Sequence, residues 1–373
     1  MNEFFSQLTT ILIYSGILQG CYLALLLNSK RIRKTRANLF LSILLIAMSF
    51  SITHIVFAAD VINHISDQVY SLGDPTFLLI APLLWFYVTE LTGDQVNFSW
   101  KMLGHFIPFL LIVVCSLTFN SIRSQTFADF IIEQNRMIGI LFWILAVIQF
   151  SLYLYFLHKK TLDFRVLVRQ ELSYTEGLHI SWIHFFMVVF FLINLFFLFS
   201  LFAVIHFEQP YWHPQATALI FSISVFALGY KGMLQKEVFF PVEKMNEETR
   251  QTKPSLEKPD IDLIEKVTAF IEEKRPYLNA ELTLTDLAQA LGITRNQLSH
   301  LINSGMGHNF YDFINKYRVE EVKRLMTDPK LRHYSIMGLA LDAGFKSKST
   351  FNLIFKRFTG LTPSEYQQNI SDE

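Results

Sequence analysis

The sequence predicts an all-α protein, a polytopic bundle of seven transmembrane helices followed by a smaller all-helical domain with two helix-turn-helix units. Three observations carry that expectation. Seven apolar runs of spanning length crowd the first 240 residues, the composition changes sharply at about Phe240, and one helix–Gly–helix pattern occurs twice in the remainder.

The change of composition implies two solvents. Hydrophobic residues make up 51% of the chain and charged residues only 17%, against roughly 25% charged in an ordinary soluble domain. The shortfall is confined to one end: residues 1–240 hold 14 Lys/Arg and 13 Asp/Glu, whereas residues 241–373 hold 18 and 19. Of the 37 Phe, 30 lie in the first 240 residues. The expected organisation is an apolar module over 1–240, a tether over 241–259 and a water-soluble domain over 260–373. Cys21 and Cys115 both fall inside apolar runs, which leaves no disulfide framework. The N-terminal Met-Asn-Glu-Phe-Phe lacks the basic residues of a cleaved leader, so the first run is expected to stay as a span.

About 20 apolar residues are needed to cross the hydrocarbon core. The runs lie at 5–27, 38–58, 75–92, 102–119, 137–157, 182–206 and 214–233. The third and fourth are short and contain Pro82 and Pro108, which spans tolerate because neighbouring groups re-satisfy the freed backbone. Basic residues orient the bundle. Lys30, Arg31, Arg33, Lys34, Arg36, Lys101, Lys159, Lys160, Arg165 and Arg169 fall in the connections of one side, against Arg123 and Arg136 on the other. The positive-inside rule then puts the N-terminus outside and the C-terminus in the cytoplasm. Trp100 and Trp182 on one side, and Tyr211 and Trp212 on the other, sit where interfacial aromatic belts are expected.

Polar residues within the runs are Gln19, His54, Glu90, Gln149, His184 and Asn194. Glu90 and His184 are placed near the cytoplasmic interface. Gln149 and Asn194 are deeper and read as interhelical hydrogen-bond formers rather than a ligand site. Gly16-x-x-x-Gly20 in the first run reads as close packing within the bundle in preference to a dimer face. No nucleophile–base arrangement and no metal-ligand spacing is found. Neither an enzyme, a cofactor nor a metal site is expected.

The tether 241–259 contains three prolines and no apolar periodicity. After it, Ile261, Ile264, Val267, Phe270 and Ile271 recur at helical spacing. Residues 285–292 then form a short helix closed by Gly292, and Thr294 caps a second helix carrying Leu298, Leu301 and Ile302. The arrangement recurs about 52 residues on: Leu287-Ala288 and Gly292-Ile293 correspond to Leu339-Ala340 and Gly344-Phe345. Leu298 follows its Gly by six residues and Phe351 by seven. Between the copies, Phe310, Phe313, Ile314, Tyr317, Val322, Leu325 and Met326 mark one long helix over 309–326.

Leu339-Ala340, Gly344-Phe345, Phe351, Phe355-Lys356, Gly360, Pro363 and Tyr366 closely resemble the C-terminal signature of AraC/XylS-type transcriptional regulators. The resemblance covers residues 260–368. Val322 stands where that family usually has Ala, and Gln367 where Arg is common. Seven spans followed by such a domain look like the membrane-embedded regulators of this type found in some Gram-negative bacteria. The resemblance implies a protein of the bacterial inner membrane that senses a signal, a small molecule or a membrane property, and binds double-stranded promoter DNA. It implies a homodimer as well, since such promoters usually present paired sites. Two other readings are a seven-span receptor or transporter whose tail binds a protein, and an enzyme in the membrane half, against which the lack of a charged catalytic constellation argues.

Local charge favours DNA. Residues 294–359 hold 11 Lys/Arg against 5 Asp/Glu, whereas residues 260–293 hold 3 against 7. A basic face on a helix-turn-helix pair suits phosphate binding. On the first recognition helix the candidates are Arg295, Asn296, Gln297, Ser299, His300 and Asn303, residue types that read adenine and guanine edges. On the second they are Lys346, Ser347, Lys348, Ser349, Thr350, Asn352 and Lys356, which suit phosphate contact and positioning. Leu298, Phe351, Phe355 and Phe358 are expected in the core.

The orientation is open to a direct check. A C-terminal alkaline phosphatase fusion is expected to be inactive and a C-terminal fluorescent fusion bright; the reverse pattern overturns both the topology and access to DNA.

Overall fold

The computed structural model describes residues 2–29, 36–57, 74–121, 125–174, 180–206, 213–233, 261–331 and 333–372. The tether 241–259, Lys30 to Lys34, Arg123, Tyr211 and Trp212 lie outside the described residues. The chain divides into two units. The first contains Met1–Thr161 and His179–Pro241, the second Leu162–Leu178 and Val242–Glu373.

Each of the seven apolar runs is helical over most of its described residues, the fourth being interrupted by a turn at His105 and Phe106. The helices are α1 (Asn2–Leu27), α2 (Ala37–Phe57), α3 (Phe77–Leu91), the short α4 (Trp100–Gly104), α5 (Ile107–Ser121), α6 (Gln125–Glu171), α7 (Ile180–His206) and α8 (His213–Met233). Among the described residues four segments, Ser6–Leu27, Ala37–Phe57, Gly139–Glu171 and Trp182–His206, are long and apolar enough to cross a membrane. Helices α3 and α5 have 15 residues each, fewer than the roughly 20 a perpendicular span needs. Helix α8 has 21 residues.

Small residues let the first helices approach closely. A Cβ on Gly16 would meet Ser222 of α8, and one on Gly20 would meet Ser49 of α2. The glycine stripe is therefore used inside the bundle. Aromatic rings fill the space between α3, α6, α7 and α8. Phe77 meets Phe221 edge-on with centroids 5.1 Å apart, and Phe150 meets Phe197 at 4.9 Å. Gln149 donates to the Leu78 carbonyl at 3.0 Å and Asn194 to Ser151 Oγ at 3.0 Å. Both side chains thus bond between helices. Glu90 accepts from the Val96 amide at 2.8 Å, fastening the connection after α3.

Helix α6 departs from expectation. The fifth apolar run predicts a span over 137–157, but the helix continues to Glu171. Phe164 and Val168 along this extension, and Leu172 just past its end, are buried at intervals of four, the spacing of one side of a helix. Its last part belongs to the second unit.

The second unit also contains α9 (Ile261–Lys274), α10 (Leu284–Leu291), α11 (Arg295–His300), α12 (Phe310–Thr327), α13 (Ile336–Asp342), α14 (Lys348–Thr359) and α15 (Pro363–Asp372). Its helix ends follow local chemistry. The Thr283 hydroxyl accepts from the Asp286 amide while the Asp286 carboxylate accepts from the Thr283 amide, and Thr294 and Gln297 repeat the arrangement at α11. Ser335 and Ser347 cap α13 and α14. Thr294 follows Gly292 by two residues, whereas Ser347 follows Gly344 by three. The extra turn residue is the one-residue difference between the copies.

Two cores lie on either side of α12. Val267, Ile271, Leu287, Leu291, Leu298 and Ile302 pack with Phe310, Phe313 and Ile314. Leu339, Ala340, Phe345, Phe351, Ile354 and Phe355 pack with Tyr311, Val319, Val322 and Met326. One helix therefore supplies an apolar wall to each helix-turn-helix unit. Phe358 is a correction: it is 36% exposed, with the Arg357 guanidinium 5.0 Å from its ring. The inward stripe of α14 runs through Phe351, Ile354 and Phe355; position 358 continues it, but in the last turn, past the residues that close the core.

The turn glycines separate two kinds of constraint. Gly292 has φ 70° and open space where a Cβ would lie. Gly344 has φ 94° and a Cβ there would stand 2.4 Å from the Tyr277 carbonyl oxygen. Gly292→Ala should cost about 1–2 kcal/mol, the left-handed penalty alone. Gly344→Ala adds overpacking against backbone and should cost about 2–5 kcal/mol in total. Hydrogen exchange over residues 261–372 of the full chain in micelles measures both; equal losses would refute the distinction.

Candidate nucleic-acid interface

Helix periodicity sorts the candidate residues. On α14, Phe351, Ile354 and Phe355 point inward and are buried. Lys348, Asn352 and Lys356 follow one another at intervals of four and are exposed, as is Ser349. Residues four apart share a helix face, so the second unit presents a stripe of ammonium and amide groups. Ser347 is committed locally: its hydroxyl accepts from the Thr350 amide at 3.2 Å. Thr350 is half-buried.

On α11, Leu298 is buried and faces the core together with Leu301 and Ile302. Arg295 and Ser299 of α11 and Asn303 of the turn after it lie at intervals of four, beside that buried face. Asn303 donates to the Ser299 carbonyl at 2.9 Å. His300 and Asn296 are half-buried. Gln297 is exposed, but its amide oxygen accepts from the Thr294 amide at 2.9 Å and from the Thr294 hydroxyl at 2.9 Å. Its side-chain NH2 is the group left for another acceptor.

Arg295 and Lys346 have partners that the sequence did not reveal. The Arg295 side chain is 12% exposed and forms a two-point ion pair with Glu171, itself 5% exposed. Nε donates to Oε2 at 3.0 Å, a second guanidinium nitrogen donates to Oε1, and Nη1 donates to Asn296 Oδ1 at 3.0 Å. Lys346 Nζ bonds to Glu281 at 2.9 Å and lies 3.8 Å from the centre of the Tyr174 ring. Glu171, Ser173 and Tyr174 were missed because they fall beyond the fifth apolar run. The signal available in the sequence was the apolar spacing of Phe164, Val168 and Leu172, which extends the helix past its basic residues.

Behind the two units, Arg318 of α12 is 1% exposed. It donates to the carbonyls of Tyr277 and Asn279 at 2.8 Å each, to the Ser173 carbonyl at 2.8 Å and to Ser173 Oγ at 3.0 Å. Farther along α12, the Arg324 guanidinium hydrogen-bonded to Glu321 holds that carboxyl below its ordinary range. Among the described residues no group of His, Cys, Asp and Glu is placed to hold a metal ion.

Comparison with known proteins points to this same region. Residues 287–369 match the family described as Helix-turn-helix domain. An uncharacterized helix-turn-helix-type transcriptional regulator of Staphylococcus aureus (strain COL) is 30% identical over 106 residues, covering 28% of this chain and 13% of that protein. The melibiose operon regulatory protein of Escherichia coli (strain K12) is 26% identical over 124 residues, covering 33% of this chain and 39% of that protein. The chain thus spans well under half the length of these relatives. No solved structure matches it. The paired helix-turn-helix units, the bridging helix and these matches identify the C-terminal part of the chain as a domain of the AraC family.

Proposed function

We propose that the chain is a membrane-embedded, non-enzymatic transcriptional regulator. Its apolar half lies in the bacterial inner membrane as seven spans, with the N-terminus outside, and responds to a small-molecule or membrane signal. Its second unit binds double-stranded promoter DNA from the cytoplasm. The observation that carries this reading is the pair of helix-turn-helix units mounted on one helix, each presenting polar or basic side chains opposite its core. Relatives of this domain are named as transcriptional regulators, and the four long apolar helices support the membrane assignment.

The two recognition helices divide the work. The amide and guanidinium groups of Arg295, Asn296, Gln297, Ser299, His300 and Asn303 suit base edges. Lys346, Ser347, Lys348, Ser349, Thr350, Asn352 and Lys356 suit phosphates. The protein acts as a homodimer: two copies held in one membrane raise the effective concentration of the second domain toward the millimolar range without any new DNA contact.

Full-length protein in lipid nanodiscs, titrated with fragments selected from a random DNA pool, tests the reading. Wild type is expected to retard selected fragments in preference to random ones. Arg295→Ala or Gln297→Ala should relax preference at one base pair, lowering discrimination between bases there by about 1–3 kcal/mol. Lys348→Ala or Lys356→Ala should weaken all sequences alike and reduce the salt slope by about 1. Equal losses on selected and random DNA for all four variants would sink the division of labour, and no sequence preference at all would sink the function.

A further inference from the structure

Two of the residues proposed to meet DNA, Arg295 and Lys346, are in this structure engaged by the chain itself. Residues Leu162–Leu178 belong to the second unit, and four of them run across both helix-turn-helix units. Leu172 forms an isolated antiparallel bridge with Thr283, the cap of α10. The Ser173 hydroxyl donates to the Leu282 carbonyl at 2.7 Å, and its carbonyl accepts from Asn315 at 3.1 Å and Arg318 at 2.8 Å on the bridging helix. These bonds fix where the flanking side chains stand. On one side Glu171 meets Arg295, the first residue of the first recognition helix. On the other, Tyr174 lies against Lys346, in the loop leading to the second.

Those two partners have the chemistry of the proposed ligand. A carboxylate taking two guanidinium donors in parallel makes the geometry that a phosphate or the paired acceptors of a guanine edge would make. Arg295 cannot give the same two donors to Glu171 and to DNA. An aromatic ring against an ammonium likewise occupies one face of Lys346. The segment also continues α6, which begins at Gln125 in the first unit, so the covering residues are covalently attached to an apolar helix.

We infer that Glu171–Tyr174 is an autoinhibitory strap, in which the Glu171 carboxylate stands in for DNA on Arg295 and must leave before the domain can read a promoter. The inference rests on the DNA-binding reading above. The strap is a competitor within the same chain, and apparent affinity for DNA falls by the fraction of molecules in which it is undocked. A strap docked in about nine-tenths to ninety-nine hundredths of molecules lowers affinity about 10- to 100-fold. Signal reception then amounts to anything that shifts this equilibrium through α6.

The alternative is that the segment only completes the fold of the domain, and the two roles have opposite signs. Full-length wild type, Glu171→Gln, Glu171→Ala and Tyr174→Ala in nanodiscs are titrated with the fragments selected above and with random DNA. Thermal unfolding of each is followed by circular dichroism. The strap requires Glu171→Gln and Glu171→Ala to bind selected DNA about 10- to 100-fold more tightly, with a smaller gain for Tyr174→Ala. In an Arg295→Ala background, Glu171→Ala should bring no comparable gain. If wild type prefers the selected fragments and Glu171→Gln binds them equally or more weakly, the strap is overturned and the DNA reading stands. If neither wild type nor any Glu171 variant distinguishes selected from random DNA, the regulator reading falls and the strap with it.

Discussion

The second unit is organised around one buried cation. Arg318 sits on the bridging helix at 1% exposure and satisfies its guanidinium with the carbonyls of Tyr277, Asn279 and Ser173. Taking such a group out of water is costly unless each donor finds an acceptor in good geometry. The cost becomes a constraint on everything nearby. The turn after α9 must present two carbonyls inward, Gly344 must lack a Cβ because one would lie 3.0 Å from Arg318 Nε, and Ser173 must reach in from the end of α6. Three stretches far apart in sequence are thereby held in one place.

The bridging helix is consequently more than a spacer between two copies. Phe310, Phe313 and Ile314 close the core of one unit, and Tyr311, Val319, Val322 and Met326 close the core of the other. Each copy of the repeat is too short to bury its own apolar face, and the shared helix completes both. The extra residue in the second turn shows how freely the repeat can vary while that wall is kept: Ser347 still caps α14, and Phe351 still reaches the core.

Some candidate residues serve the fold before they serve a ligand. Gln297 closes the cap of α11 and Ser347 the cap of α14, so loss of either would act on stability as well as on binding. Lys348, Asn352 and Lys356 have no such duty in the caps and form a stripe dictated by helical spacing alone. Arg295 stands between these cases. It is aimed by its place in the first turn of a recognition helix, yet nearly buried by Glu171.

Local rules made much of this legible from residues alone. Apolar runs mark the seven helical stretches, Thr294 marks the start of α11, and the twice-used Gly pattern marks the paired units, because each of these depends on neighbours within a few positions. Burial of Leu298, Phe351 and Phe355 follows from the same periodicity. Phe358 shares that spacing, seven positions after Phe351, but stands in the last turn of α14, past the end of the core. The extension of α6 to Glu171 escaped notice because basic residues interrupt the apolar run, although Phe164, Val168 and Leu172 keep the helical spacing beneath them. The ion pair of Glu171 with Arg295, 124 positions apart, and the acceptors of Arg318 were beyond reach altogether. Residues so far apart are brought together by packing, and only the tertiary structure decides which distant carboxylate or carbonyl a given guanidinium meets.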